Sequence, residues 1–133
     1  MFKDISHTAD LAYEVVCRDG EELLKDVIEI VRTHTEFQEE AVRGKNGAKV
    51  QKSKRKCYNK LRNLDNVDED LLFDIVNEII LIIDTGYFPT KVEGTCVYFE
   101  SRKAVCRLKA LTYHMLTIEK EGDNFRIRMV FDV

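Results

Sequence analysis

Carboxylates near the two ends of the sequence are the residues whose types and spacing best suit chemistry. Near the start, His7-Thr8-Ala9-Asp10 places a histidine and an aspartate three positions apart around two small residues, a spacing that a tight turn allows. At the other end, Asp132 and the α-carboxylate of Val133 put two anionic oxygen groups on adjacent residues if the chain stops there. Should the last strand end beside the first turn, three carboxylates would converge, and that much negative charge requires a cation or bound protons.

Oxygen ligands of this kind select a hard divalent ion such as Mg²⁺, Ca²⁺ or Mn²⁺ over zinc or copper. The sequence therefore predicts a candidate metal site built from Asp10, Asp132 and Val133. Two simpler readings stay open, namely a frayed, solvated carboxyl terminus and an Asp10 that only forms or caps a turn.

A third candidate is the stretch Lys109-Ala110-Leu111-Thr112-Tyr113-His114. Its alternation predicts that Lys109 lies on the polar side of one strand and that His114 lies on the inner side of the next. The alternative interpretation makes His114 a core histidine bonded to the backbone and Lys109 an ordinary exposed cation.

Residues 43–62 form a basic segment with nine Lys or Arg and no acid, whereas the rest of the chain carries 12 basic residues against 24 acidic ones. Gly44, Asn46 and Gly47 predict a loop or irregular hairpin that leads into a basic strand over 50–58. Clustered cations attract phosphates, and Tyr58 could add a stacking surface. The candidate RNA or phosphate contacts are Lys52, Lys54, Arg55 and Lys56. The alternative is a solvated excursion, and a sequence pI near 5.7 argues against a dedicated nucleic-acid binder.

The composition predicts one soluble domain over residues 1–133 and does not suggest an enzyme. No phosphate-binding loop, dinucleotide fingerprint, nucleophile elbow or H-E-x-x-H motif is present, and the sequence has only three histidines. No apolar run reaches the length of a membrane span or signal peptide, so we expect a cytoplasmic protein. The four cysteines form no C-x-x-C pair, which predicts reduced thiols, with Cys17 and Cys106 in the core and a zinc site improbable.

Hydrophobic periodicity predicts the elements that would position these residues. Alternation indicates a strand over 11–17, and helical stripes indicate helices over 21–34 and 68–85. The second helix is apolar on most sides and should be covered on several of them; Asp74, Asn77 and Glu78 share its polar face, which is most simply a solvated one. The C-terminal third predicts two short strands over 91–100, then strands over 104–110 and 114–118. A hairpin turn over 121–124 and a last strand with Phe125, Ile127, Met129 and Phe131 on one face complete the pattern.

Runs of strands with two separate helices indicate an α+β fold, in which antiparallel sheet layers pack against two main α-helices. Oligomeric state is left open, and a monomer is expected because no heptad repeat is present.

Four short motifs, taken together, resemble the archease family. They are His7-Thr8-Ala9-Asp10, Asp70-Leu71-Leu72-Phe73-Asp74-Ile75-Val76-Asn77-Glu78, Lys109-Ala110-Leu111-Thr112-Tyr113-His114 and Val130-Phe131-Asp132-Val133. The resemblance covers most of the chain outside roughly 36–64, and the basic segment has no counterpart in the family pattern.

The resemblance implies a non-enzymatic partner of RtcB-type RNA ligases, which act in tRNA splicing and RNA repair with GTP and Mn²⁺. Such a partner promotes guanylylation of the ligase and allows it to turn over repeatedly. The resemblance also implies divalent-cation binding, calcium included, by Asp10, Asp132 and Val133, with His7, Lys109 and His114 as neighbouring polar residues. Two alternatives remain, namely a stand-alone metal-dependent phosphoesterase or nuclease, and an RNA-binding, chaperone-like module that uses residues 43–62.

Overall fold

The computed structural model describes residues 1–5, 11–38 and 52–133. Over these residues the strands are β1 (Phe2–Asp4), β2 (Leu11–Cys17), β3 (Thr35–Phe37), β4 (Ser53–Cys57), β5 (Tyr87–Glu93), β6 (Cys96–Ser101), β7 (Ala104–Cys106), β8 (Ala110–Leu111), β9 (Thr117–Glu121) and β10 (Asn124–Asp132). The α-helices are α1 (Gly20–Thr33) and α2 (Glu69–Asp84), and two short 3-10 helices cover Asn59–Arg62 and Leu64–Asn66. The predicted α+β class is confirmed.

Helix α1 begins at Gly20, one residue before the predicted start, and its first turn is capped by Asp19. The Asp19 carboxylate accepts a hydrogen bond from the Glu22 backbone N–H (2.9 Å), which satisfies one of the free donors of the first turn. The predicted apolar stripe faces the core; its buried members are Leu23, Leu24, Val27, Ile28 and Val31. Burial of this stripe against β2 and β5 fixes the helix on the sheet layers.

Helix α2 is capped in the same way and is covered on more than one side. The Asp68 carboxylate accepts a hydrogen bond from the Leu71 N–H (2.8 Å), and Gly86, at φ 103°, follows the helix end. Buried side chains occur on every turn: Leu72, Ile75, Val76, Ile79, Ile80 and Ile83. Within the described ranges, no helix is long and apolar enough to cross a membrane.

Strand β10 is the centre of a five-stranded antiparallel sheet. Strand β2 pairs along one edge of β10 and also pairs with β1. The other edge is shared by β9, which pairs with Asn124–Arg128, and β8, which pairs with Phe131 and Asp132. As predicted, one face of β10 is buried in the core; its members are Phe125, Ile127, Met129 and Phe131.

The described residues also form two smaller sheets, one of β3 and β7 and one of β4, β6 and β5. Strands β5 and β6 form a hairpin at Gly94 (φ 56°), as the predicted break between two strands requires, and β4 pairs with the other edge of β6. The basic strand expected over 50–58 is therefore present as β4. The hairpin expected around Gly44, Asn46 and Gly47 lies outside the described residues.

Two strand predictions in the C-terminal third are wrong. The alternation over 104–110 belongs to two short strands in different sheets, since β7 pairs with β3 while β8 pairs with β10. The strand expected over 114–118 begins only at Thr117, because residues before it form a turn in which Met115 adopts φ 55°. Alternating apolar residues indicate which face is buried, but they do not show which neighbour a strand pairs with.

The prediction that all four cysteines are reduced is wrong for two of them, because Cys57 and Cys96 form a disulfide. The β4–β6 register places these residues directly opposite each other, and Tyr58 N–H donates to the Thr95 carbonyl (2.8 Å) beyond them. Of the two free cysteines, Cys17 is buried, as expected, and Cys106 is half-buried against the core. Sequence separation alone cannot reveal such a pair, because strand pairing brings it together.

The disulfide predicts a redox-dependent stability. Without reductant, the denatured protein should show two reactive thiols, those of Cys17 and Cys106, and it should show four after treatment with a dithiol. Because the bond closes a loop across 39 positions, its reduction should lower the free energy of unfolding by about 4 kcal/mol. Thiol titration and urea unfolding with and without reductant measure both effects; Cys57→Ser should match the reduced protein. Four thiols before reduction would contradict the pairing.

Candidate functional site

Lys109, Asp132 and Val133 are the predicted site residues that lie at the end of β10. Pairing of β2 with β10 ends at Leu11 opposite Phe131, and pairing of β8 with β10 places Ala110 opposite Asp132. Phe131 is buried beneath the sheet, whereas Asp132 follows on the opposite, exposed face. The strand end therefore offers a carboxylate to solvent between two neighbouring strands.

Lys109 and Val133 lie beside Asp132. The Lys109 backbone N–H donates to the Asp132 carbonyl (2.8 Å), so the start of β8 is tied to the end of β10. The Lys109 side chain is exposed, and Val133 is 52% exposed. Lys109 thus brings a positive charge to the end of the sheet where Asp132 brings a carboxylate. Because both are exposed, a partner could contact them.

His114 lies in the turn between β8 and β9. Thr112 N–H donates to the Val130 carbonyl (2.9 Å), and Thr117 pairs with Arg128, so the intervening turn runs alongside the middle of β10. His114 is exposed in that turn, and the prediction that it lies on the inner side of a strand is wrong.

His7 and Asp10, the remaining members of the predicted site, lie outside the described residues. Within residues 1–5, 11–38 and 52–133, no group of three His, Cys, Asp or Glu residues is arranged to hold a metal ion. Of the predicted side-chain ligands, only Asp132 belongs to the described residues, so the metal site stays a prediction. Asp132 is exposed, and the predicted ligands would offer oxygen atoms, whose chemistry would fit a hard divalent ion.

The cations of β4 do not form one patch. Lys54 and Lys56 lie opposite the buried Phe99 and Val97, so they share the inward side of the small sheet, and Arg55 points to the other side. Lys54 Nζ lies 4.5 Å from the centre of the Tyr87 ring, and Lys56 Nζ lies 3.4 Å from Glu78 Oε1, whereas Lys52 is exposed before the strand.

Tyr58 is a core residue and offers no stacking surface. It is only 8% exposed, and its hydroxyl donates to Glu78 Oε1 (2.8 Å). Burial first, and then this hydrogen bond and the charge of Glu78, raise the pKa of Tyr58. The polar face of α2 is likewise used internally, since Glu78 receives this bond and the Asn77 amide bonds to Leu111, so it is not simply a solvated face.

Two polar contacts made by residues of β2 were not predicted from the sequence. The first is Glu14, a buried carboxylate whose Oε1 accepts from Arg126 (2.5 Å) and whose neighbours include Lys3 and Arg128. Burial by itself raises the pKa of Glu14, but the charges of Arg126 and Lys3, with hydrogen bonds from both arginines, outweigh it and lower the pKa. The signal was the charge at position 14 within an otherwise apolar β2, with Arg126 and Arg128 alternating on β10.

The second is the pair formed by Tyr13 and His34, with the Tyr13 hydroxyl 2.6 Å from His34 Nε2. Burial and the charge of Asp4 raise the pKa of Tyr13, whereas desolvation lowers the pKa of His34 and keeps its ring neutral near pH 7. The two side chains are joined by this hydrogen bond, and the His34 carbonyl accepts a hydrogen bond from the Arg107 N–H (2.8 Å). His34 therefore joins α1 to the strands and is not placed as a metal ligand.

Comparisons with known proteins cover nearly the whole chain. The model of the Archease protein family (MTH1598/TM1083) matches residues 2–133. A curated relative, the protein archease of Thermotoga maritima, is 36% identical over 138 residues, which span 99% of this chain and 99% of that protein. The crystal structure of an archease and possible chaperone from Thermotoga maritima has a TM-score of 0.66 at 34% identity, over 100% of this chain and 98% of that one. The solution structure of Methanobacterium thermoautotrophicum protein 1598 shares the fold, with a TM-score of 0.50 at 18% identity and coverage of 99% and 98%.

Proposed function

We propose, from the premise that the chain belongs to the archease family, that it is a non-enzymatic activator of an RtcB-type RNA ligase. In this role it promotes the GTP-dependent guanylylation of the ligase and lets the ligase turn over repeatedly in tRNA splicing and RNA repair. GTP and Mn²⁺ belong to the ligase, and the proposal includes a cytoplasmic location. The family's accessory or chaperone character supports a partner-dependent role.

The register of β2 against β10 is the observation that carries the proposal. Leu11 pairs with Phe131, and the Cα atoms of such antiparallel pairs are about 4.5–5.5 Å apart. Leu11 follows Asp10 in the chain, and Phe131 precedes Asp132. The paired residues Leu11 and Phe131 are thus the direct chain neighbours of the two aspartates, which supports the proposal that Asp10 and Asp132 act together.

In the proposed site, the carboxylates of Asp10 and Asp132 and the α-carboxylate of Val133 hold a Ca²⁺, Mg²⁺ or Mn²⁺ ion. A divalent ion supplies positive charge that can stabilise the phosphates of a nucleotide during transfer. The exposed Asp132 and Val133 leave coordination positions open toward a partner. Lys109, beside Asp132, fits the role of a neighbouring cation, whereas the position of His114 in a separate turn favours leaving it out of the set.

Guanylylation of the cognate ligase tests the proposal directly. The purified ligase is incubated with radiolabelled GTP and Mn²⁺, with and without this protein, and covalent label and ligated RNA are followed over time. We expect faster labelling and more than one ligation per ligase molecule only when the protein is present. Equal labelling in both reactions would overturn the proposal.

The same reaction without ligase separates the proposal from its alternatives. Cleavage of RNA by the protein and Mn²⁺ alone would indicate a stand-alone nuclease instead. The division of Lys54, Arg55 and Lys56 over both sides of β4 gives no support to a direct RNA contact there, so the proposal assigns none.

A further inference from the structure

An aromatic pair between α2 and the turn after β8, made of the half-buried Phe73 and the exposed Tyr113, has no part in the proposed metal site. The rings of Phe73 and Tyr113 stack with their centroids 4.0 Å apart and their planes 8° from parallel. Tyr113 is 54% exposed, and Met115, in the same turn, is 51% exposed. The pair and Met115 thus present adjoining apolar and aromatic surface to solvent.

Hydrogen bonds and a buried leucine hold the backbone that carries this surface. The Asn77 amide brackets the Leu111 backbone, donating to its carbonyl (3.1 Å) and accepting from its N–H (2.7 Å), which ties α2 to β8. Below the turn, the buried Leu116 anchors the chain and its N–H donates to the Tyr113 carbonyl (3.2 Å). A preformed surface loses little conformational freedom when it binds a partner.

Carboxylates surround the aromatic pair. The interaction of the Tyr113 hydroxyl with Asp70, followed by burial and by the charges of Asp70, Asp74 and Asp68, raises the pKa of Tyr113. In the part of the chain that the structure describes, no salt bridge reaches these three aspartates. The surface is therefore both aromatic and negatively charged, without a neutralising cation of its own among the described residues.

We propose that the acidic aromatic patch, defined as Asp70, Phe73, Asp74, Tyr113 and Met115, is the surface on which a basic, arginine-bearing segment of the ligase docks. A guanidinium group binds favourably over an aromatic ring and beside carboxylates, and both are present here. The same carboxylates repel the phosphates of RNA, so the charge favours a protein partner over a nucleic acid. This inference rests on the proposed function.

The patch is also close in the chain to the proposed metal site. Ala110, three residues before Tyr113, pairs with Asp132 at the end of β10. A segment docked on the patch would therefore lie on the sheet edge that leads to that carboxylate. The patch would then bind the ligase while the separate residues of the metal site deliver the ion.

Binding of variants to the cognate ligase tests the inference. By calorimetry, Tyr113→Ala should weaken binding about tenfold, as loss of an interfacial tyrosine commonly does. Asp70→Asn should weaken it severalfold and flatten its dependence on salt concentration. Val105→Ala, which truncates an equally exposed apolar residue on β7, and Asp84→Asn, at the other end of α2, are the matched controls and should bind like the unmodified protein.

The outcomes separate this inference from the proposed function. If the unmodified protein does not bind or stimulate the ligase, the proposed function fails. If it stimulates the ligase while Tyr113→Ala and Asp70→Asn bind it with unchanged affinity, only the docking surface is wrong. Loss of RNA affinity in Tyr113→Ala with unchanged ligase affinity would also overturn it, in favour of an RNA contact. Mn²⁺ binding by Tyr113→Ala should match that of the unmodified protein, which shows that the metal site is intact.

Discussion

Asp132→Ala is expected to reduce stimulation of ligase guanylylation to the level seen without the protein. The substitution removes one of two side-chain ligands of the proposed metal site, and loss of a direct ligand should weaken metal affinity by more than about a hundredfold, beyond what loss of a supporting residue costs. The fold should persist, because Asp132 is exposed and its carbonyl still accepts the Lys109 N–H bond in the variant.

Asp123→Ala provides the matched control for this experiment. Asp123 is an exposed aspartate in the turn at the opposite end of β10, so its loss changes net charge equally without touching the proposed site. The control should stimulate like the unmodified protein, and the thermal midpoint of both variants should change little. Full stimulation by Asp132→Ala at low metal concentration would contradict a role for this carboxylate.

Gly20→Ala is expected to destabilise the protein by about 3 kcal/mol, the upper end of the usual cost of inserting a methyl group into a packed core. A Cβ atom at Gly20 would lie 2.2 Å from the Leu61 carbonyl oxygen and 2.9 Å from the Leu61 Cβ. Leu61 is buried in the 3-10 helix Asn59–Arg62, so its backbone cannot move away without disturbing the core. The clash should also weaken the junction between α1 and the segment before α2.

The sign of this effect distinguishes packing from helix propensity. Alanine is favoured over glycine in helices by about 1 kcal/mol, so propensity alone predicts that Gly20→Ala stabilises α1. Urea unfolding of both proteins decides between the two, with Lys25→Ala, on the exposed side of α1, as a control expected to change stability by less than about 0.5 kcal/mol. A higher unfolding midpoint for Gly20→Ala would show that the neighbouring chain relaxes easily.

The sequence predicts those parts of the fold whose signals are local. Helices α1 and α2 and strands β2 and β10 follow from periodicity and caps, which depend on residues a few positions apart. The division of residues 104–110 between two sheets and the pairing of Cys57 with Cys96 depend on which strands become neighbours. That choice depends on long-range contacts, which a periodic pattern does not specify.

The sequence likewise predicts only part of the candidate site. Lys109 lies beside the end of β10 because β8, which begins at the next residue, pairs with that strand. Its part in the site stays a prediction that the family resemblance implies. The sequence misplaces His114, because a tight turn with Met115 at positive φ interrupts the alternation on which the prediction depended. The role of Asp10 as a metal ligand remains a prediction, supported by the pairing of its chain neighbour Leu11 with Phe131.

The place of β10 in the main sheet has a consequence for synthesis on the ribosome. Its three partners, β2, β8 and β9, all precede it in the chain, so most of the sheet cannot form until residues 124–132 have been translated. At about 5–20 residues per second, the emerging chain must wait several seconds with the apolar face of β2 uncovered. The nascent polypeptide is therefore expected to need shielding by a ribosome-associated chaperone until its last strand emerges.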